Sequence, residues 1–556
     1  MRSTVAEAIV RTLEAAGVKL IFGLPGSQTC PIYDAIYASK IKHVLTRHEE
    51  AAAYMADAYA KITGQHGICD GTGGPGATNL ITGIATAWTD RTPVVAFTGQ
   101  QPQPQLGKGA FQELDHAAVF KPIVKWSVML TKPERAVEVT RKALRMALTG
   151  RPGPVHLNIP VDVQRELVEF ETKPLQKMLT GKVAAGRRDV VRKAATHLVK
   201  AERPVIVAGG GAHYSGLGAC KEVLALAEYI GAPVITTFNG RGVIPEDHPL
   251  SAGRMGVHAR RYVDRVLAEA DFILAVGCRF AALSTRHWTA IRARTRMIQV
   301  DVNPDEIGKN YPVELGITGD AEAVLTGILA EVKSLCGSRK FEELPWLLWL
   351  SRAKEEWLSI NEAIMNSEAT PLKPQRVCNE IRRFFSRGTV FTVDAGNNKM
   401  WASMFLNVFE PKTWIQSGSF GPMGYGLPAA IACKLAKPEK DIVAVAGDGG
   451  FVMTMYELAT AVQQCTPVTV CILNDNAFGT IRHHQKRFYG GRLISTELIN
   501  PDFVKLAEAF KCYGEHVERP SEIRKAFKNA SKMVRDGVPA VIDFTIDREE
   551  QLPSWT

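Results

Sequence analysis

The chain has no apolar run approaching the roughly 18 residues that a membrane-spanning helix requires. Its ten cysteines include no C-x-x-C pair and no zinc-like spacing, which argues against a structural metal and, in a reducing cytosol, against disulfides. Cys465 and Cys471 flank an apolar run and are expected to pack in the core. Nor is there a concentrated basic block. The net charge of +10 is dispersed, with pairs such as Arg187-Arg188, Arg260-Arg261 and Arg382-Arg383, so nucleic acid is not an expected partner. At the start, Glu7, Arg11 and Glu14 interrupt any apolar signal-like stretch, and the segment reads as an amphipathic surface helix. Short-period repeats and low-complexity tracts are missing too. These absences point to a cytoplasmic protein without a membrane span.

What is present is ordinary globular composition, 46% hydrophobic and 22% charged over 556 residues. Strand-like and helix-like segments alternate along three stretches. In the first, strands are expected at Leu20 to Gly23, near His43 to Leu45, at Gly67 to Cys69, at Pro93 to Phe97 and at Val155 to Ile159. The second has them at Pro204 to Ala208, Pro233 to Thr237, Phe272 to Val276 and Met297 to Val302. The third has them at Thr389 to Val393, Ile442 to Ala446 and Val468 to Leu473. A weakly patterned linker runs from about Val168 to Arg188, and a charged helical connector from about Glu342 to Ile364. The expected class is α/β, with three doubly wound parallel-sheet domains over 1–167, 190–335 and 365–550.

Two strings carry chemistry. Gly447-Asp448-Gly449-Gly450 and Asn474-Asp475-Asn476-Ala477 each follow an apolar strand, with a helix from Met455 to Gln464 between them. That is one βαβ unit, so both strings should lie at the carboxyl ends of neighbouring parallel strands, where open sheets bind ligands. The glycines leave backbone N–H groups bare for a phosphate. Asp448 and Asp475 offer carboxylates to Mg²⁺. In the first stretch, Arg47-His48-Glu49-Glu50 opens a small-residue helix. Taken alone, Glu49 reads as a favourable charge at a helix N-terminus. Gly71-Thr72-Gly73-Gly74-Pro75-Gly76 is a glycine loop without the lysine of a Walker motif, either phosphate-binding or a simple turn.

Taken together, these strings resemble the thiamine diphosphate enzymes of the acetolactate synthase and pyruvate oxidase group, over nearly the whole chain. Ala110-Phe111-Gln112-Glu113, Gly150-Arg151-Pro152-Gly153-Pro154-Val155 and Gly421-Pro422-Met423-Gly424-Tyr425-Gly426 match as well. The resemblance implies thiamine diphosphate and Mg²⁺ as cofactors. It places the metal on Asp448, Asp475 and the Ala477 carbonyl, and the diphosphate on Gly396-Asn397-Asn398 with Gly449 and Gly450. Glu49, rather than Glu50, becomes the carboxylate at the pyrimidine, where limited solvent suits proton relay. Gly421 and Met423 take the pyrimidine edge, Met423 as an apolar wedge; a core methionine is the alternative. Ser27, Gln28, Phe111, Gln112 and His484 would line the substrate chamber, with Gln112 catalytic, although Phe111 and Gln112 read equally as packing residues. Family geometry implies a homodimer or homotetramer with sites between subunits, and leaves room for a small regulatory subunit.

The implied reaction is decarboxylation of a 2-keto acid, pyruvate foremost, with ligation of the enamine to a second carbonyl. An acetolactate synthase catalytic subunit is the nearest match. Three departures bear on it. Asp475 stands where flavin-dependent members carry asparagine. The family's R-F-D-D-R string, whose last arginine assists the second keto acid, is Arg279-Phe280-Ala281-Ala282-Leu283, with Arg286 as a candidate replacement. The tryptophan that selects larger acceptors is His484. A flavin-dependent pyruvate oxidase and a lyase resembling benzaldehyde lyase or benzoylformate decarboxylase are the alternatives. FAD remains open: Gly209-Gly210-Gly211, Gly277-Cys278-Arg279-Phe280 and Asp301 suit a dinucleotide or an empty Rossmann-like domain.

Overall fold

A computed structural model describes residues 2–171, 185–337 and 344–552. Each of the three stretches forms a six-stranded sheet in which every pairing is parallel. Numbering strands within each sheet by chain order, the first and third share the order 2-1-3-4-6-5, while the middle sheet is 3-2-1-4-5-6. The middle order reverses direction once and the other two first reverse beside their first strand; ligand crevices open at such a reversal beyond the carboxyl ends of the strands. In the first sheet the reversal lies between Leu20–Gly23 and Gly67–Gly71; in the third, between Val390–Val393 and Ile442–Gly447. The central strands are buried on both faces, as their uninterrupted apolar runs require.

The N-terminal and C-terminal sheets share one core. It is built around the helix Glu49–Thr63, twelve of whose fifteen residues are buried. Alanines 51, 52, 53, 56, 58 and 60 let this helix lie closely against Gly426–Ala436, itself rich in alanine. A helix covered on all sides carries small or apolar residues all round, and this one takes its first residue, Glu49, inside with it.

Some expectations are corrected. The amino end of the weakly patterned linker is ordered: Leu167–Glu169 pairs antiparallel with Arg2–Thr4. The linker's middle part and the start of the charged connector fall outside the described residues; the connector's helix is seen over Pro345–Met365. Cys471 is buried, but Cys465 is exposed, because it follows the end of Leu458–Gln463 in a left-handed turn (φ 51°). The ten cysteines are all free. Among the described residues, no helix is long and apolar enough to cross a membrane.

Candidate active site

The two aspartates lie where the βαβ unit places them. Ile442–Gly447 and Thr469–Asn474 are parallel neighbours, Gly447 paired with Leu473. The glycine string, however, is not an open loop. Asp448 begins the helix Asp448–Thr454, and the expected helix from Met455 starts as a tight 3₁₀ turn, Met455–Glu457, followed by Leu458–Gln463. At Gly449 a Cβ would meet the Phe478 ring at 2.8 Å, so the second glycine answers to packing as well as to open amides. Asp448 is 1% exposed and accepts from Asn500 Nδ2 at 2.6 Å. The same amide lies 3.2 Å from Asn474 Oδ1 and 3.2 Å from Asn476 Oδ1.

Burial, and then the neighbouring Asp448 charge, push Asp475 up to about 7. Two carboxylates sharing a site of low solvent resist joint ionisation, and a divalent cation removes that conflict. The donor set is all oxygen and leaves room for phosphate oxygens, which suits Mg²⁺. At the mouth, Asn397 receives Thr480 Oγ1 at 2.9 Å and meets His483 Nδ1 at 3.2 Å. Asn398 turns inward and donates to Asp394 O (3.0 Å) and Val445 O (3.2 Å), so what it presents outward is backbone.

Asp394 went unnoticed in the sequence. Fully buried at the end of Val390–Val393, it accepts the amides of Ala395 (2.7 Å), Gly424 (2.9 Å) and Gly426 (3.1 Å). Burial raises its carboxyl to about 6 despite those amides. It thereby fixes the Gly421–Gly426 loop, in which Gly421 and Gly424 take positive φ (65° and 83°) and Met423 stands 36% exposed. Met423 is therefore not a core methionine. Its one sequence signal was position, an aspartate directly after a buried strand and two residues before a glycine.

In the N-terminal half, Glu49 is 4% exposed and accepts from Asn79 Nδ2 at 3.0 Å. Glu50 turns away to receive Tyr54 OH at 2.8 Å. Adjacent carboxylates are thus divided between two partners, and the glycine loop reaches Glu49 through Gly76, where a Cβ would stand 3.1 Å from its Oε1. At the sheet's reversal point, Gln28 joins Gln112 (3.0 Å) and Thr72 (2.5 Å). Gln112 is held at φ 61°. Ser27 is exposed beside them and Phe111 is 75% exposed. His484 is also exposed and packs on Phe488 with ring centres 4.7 Å apart. Among the described residues, no hydrogen bond or ring contact joins Glu49, Gln28 or Gln112 to Asp448, Asp475, Met423 or His484 within one chain.

Between the three sheets lies a cavity of about 440 Å³. Gly209–Gly211, Gly277, Arg279 and Asp301 line it at the middle sheet's reversal point, with Arg91, Arg151 and Lys399 from the flanking domains. A Cβ at Gly209 would stand 2.1 Å from Gly277 O, so only glycine permits the close backbone approach there. Arg286 does not reach this cavity; it pairs with Asp264 at 2.9 Å.

Three α/β layers with a paired-aspartate helix N-terminus in one and a buried glutamate in another define a cofactor-dependent enzyme class. Profiles of the thiamine pyrophosphate enzymes match the chain in order: the N-terminal TPP binding domain over 3–119, the central domain over 191–328 and the C-terminal TPP binding domain over 394–544. The chain belongs to this family. It is 41% identical to a probable acetolactate synthase large subunit of Methanocaldococcus jannaschii, over 99% of this chain and 93% of that one. It is 36% identical to the acetolactate synthase large subunit of Corynebacterium glutamicum (99% and 88%). Against acetolactate synthase isozyme 3 large subunit of Escherichia coli the identity is 34% (98% and 95%).

Proposed function

We propose that the protein is an acetolactate synthase-type enzyme, decarboxylating pyruvate and joining the two-carbon unit to a second carbonyl. The observation that carries this is identity to acetolactate synthase large subunits along the full chain, with the paired aspartates and the buried glutamate in place. Thiamine diphosphate (thiamine pyrophosphate), when bound, supplies the nucleophile and the electron sink for loss of CO₂. Asp448, Asp475 and the Ala477 carbonyl would hold Mg²⁺, and the amides opening Asp448–Thr454 would receive the diphosphate. Met423 would brace the cofactor and Glu49 would hold a proton at the pyrimidine. Gln28, Gln112 and Ser27 would orient the keto acid, with Phe111 and His484 excluding water.

A dimer with sites between subunits is consistent with the lack, among the described residues of one chain, of any direct hydrogen bond from Glu49, Gln28 or Gln112 to Asp448, Asp475 or Met423. The exposed apolar residues Phe420, Met453, Phe488, Tyr489, Ile494 and Ile499 support a covered surface. By analogy with relatives named large subunits, a small subunit is a proposed partner and the cytoplasm the proposed location. FAD is a proposed occupant of the 440 Å³ cavity, whose glycine turn and Asp301 suit a dinucleotide. The acceptor is the least constrained element. Leu283 replaces the arginine expected for a second keto acid and Arg286 is tied to Asp264, which favours a neutral carbonyl acceptor as the second reading.

The deciding experiment supplies purified protein with the cofactor, Mg²⁺ and pyruvate, with and without aldehydes, and identifies products by mass. Acetolactate from pyruvate alone establishes the primary reading. Peroxide formation in place of ligation would instead establish an oxidase, and no loss of CO₂ from any keto acid would sink both.

A further inference from the structure

Glu457 closes the tight turn Met455–Glu457 that follows the helix opened by Asp448, and its side chain is completely buried. It belongs to the C-terminal domain, yet it accepts the backbone amides of Arg47 (2.9 Å) and His48 (3.2 Å) from the N-terminal domain. Those are the two residues directly before Glu49. The other carboxylate oxygen receives Thr460 Oγ1 at 2.5 Å. Two further contacts hold the same dipeptide from the same segment, and a third holds the strand end just before it. The Arg47 guanidinium donates to Gln463 Oε1 at 2.6 Å, the His48 ring packs on Tyr456 with centres 6.1 Å apart, and Thr460 Oγ1 lies 3.4 Å from Leu45 O. His48 in turn caps the helix by accepting the Glu50 amide at 3.2 Å.

A buried amide without an acceptor costs about as much as a lost hydrogen bond, so the pair at Arg47 and His48 needs one. A carbonyl or water would satisfy that need. A carboxylate is a costlier choice in so dry a place, and burial drives it up to about 7. What it adds is a charge-assisted anchor of fixed length at the point where the helix carrying Glu49 begins.

We propose that Glu457 is a positioning residue: it sets the start of the Glu49–Thr63 helix, and so the placement of the Glu49 carboxylate against the cofactor. This rests on the reading of Glu49 as the proton-handling carboxylate. A displacement of about 1 Å in such a group is worth about 10²-fold in rate.

The test uses the assembled enzyme loaded with thiamine diphosphate and Mg²⁺. It follows exchange of the bound cofactor's C2 hydrogen into D₂O by quenched NMR, together with kcat, the pyruvate KM, cofactor affinity and the thermal midpoint. In Glu457→Ala, exchange and kcat should fall about 10²-fold, with cofactor affinity and KM held within about threefold. Glu457→Gln keeps an acceptor for both amides and should recover to within about threefold of the parent. Parent-rate exchange in Glu457→Ala overturns the proposal, as does a loss shared equally by affinity, exchange and thermal midpoint that glutamine does not rescue. Should the alanine variant not fold, Glu457→Asp retracts the acceptor by one methylene; a folded Glu457→Asp exchanging at the parent rate overturns the proposal equally. Glu49→Gln, run alongside, tests the underlying reading by itself, because parent-rate exchange there removes Glu49 from the chemistry whatever Glu457 does.

Discussion

The Lys61 ammonium and the Asp90 carboxylate stand 2.8 Å apart where water scarcely reaches, and around them all three domains meet. Lys61 also holds Asp57 at 2.7 Å and Gln416 O at 2.7 Å. Asp57 receives Tyr425 OH at 2.7 Å, and Asp90 receives the Gly418 amide (2.7 Å) and Asn239 Nδ2 (3.2 Å). Burial alone would lower the lysine, but the two carboxylates hold it raised and charged. Removing one member of a buried ionic group strands the others, at about 3–5 kcal/mol. Lys61→Met should therefore lower the thermal midpoint markedly and loosen the interdomain contact, read by calorimetry and limited proteolysis.

Glu49→Gln should cut turnover by about 10²- to 10⁴-fold while thiamine diphosphate still binds. Isothermal titration with the cofactor separates the two effects. A variant that neither binds nor turns over would assign Glu49 a structural part in the helix start rather than a chemical one.

Cofactor loading should depend on pH. Without metal, the Asp448–Asp475 pair holds a proton up to about pH 7, because burial and the mutual charge raise Asp475. Metal binding expels that proton, so below this pH affinity for Mg²⁺ with the diphosphate should fall by about tenfold per unit, and level off above it. Titrations at pH 6 and pH 8 read the difference. Asp475→Asn removes the shared proton and should flatten the dependence.

Gly479 sits so close to Asp475, the proposed metal ligand, that a Cβ there would stand 2.3 Å from its Oδ2. Gly479→Ala must push Asp475 aside. About tenfold weaker Mg²⁺ binding is expected, by the same measure as disturbing a residue that orients a ligand, while the Glu49 side stays intact. Unchanged metal affinity would mean that the pair has slack to yield.

Asp394 supports the Met423 loop through two amides, Gly424 and Gly426, and accepts a third from Ala395. Asp394→Ala leaves them without an acceptor, at about 1–3 kcal/mol for each buried group left unpaired. Asp394→Asn should be milder, since its carbonyl still accepts. Thermal midpoint and cofactor affinity should fall together in the alanine variant.

How much of this was legible beforehand varies with range along the chain. The strands around Asp448 and Asp475 were readable because burial on both faces demands unbroken apolar runs, and the loop after each strand is fixed locally. Glu49 was readable as a helix-opening carboxylate for the same reason. Asp394, Gln28 with Thr72, and Glu457 were harder, since each is defined by a partner distant in the chain. Glu457 and Arg47 belong to different domains, and no periodicity encodes their meeting. Cys465 misled because apolar neighbours suggested burial, while a left-handed helix end turned it outward.

By itself, then, the sequence determined the three parallel sheets, the order of their motifs and the residue types on which the proposed metal and diphosphate sites rest. These follow from local periodicity and from chemistry that adjacent residues carry. The tertiary structure alone decided which oxygen faces which amide: that Glu49 meets Asn79 while Glu50 meets Tyr54, that Asp394 braces the Met423 loop, and that Glu457 anchors the helix of Glu49. Those choices depend on contacts between elements distant along the chain, within and between domains, which buried polar groups settle only once water has left.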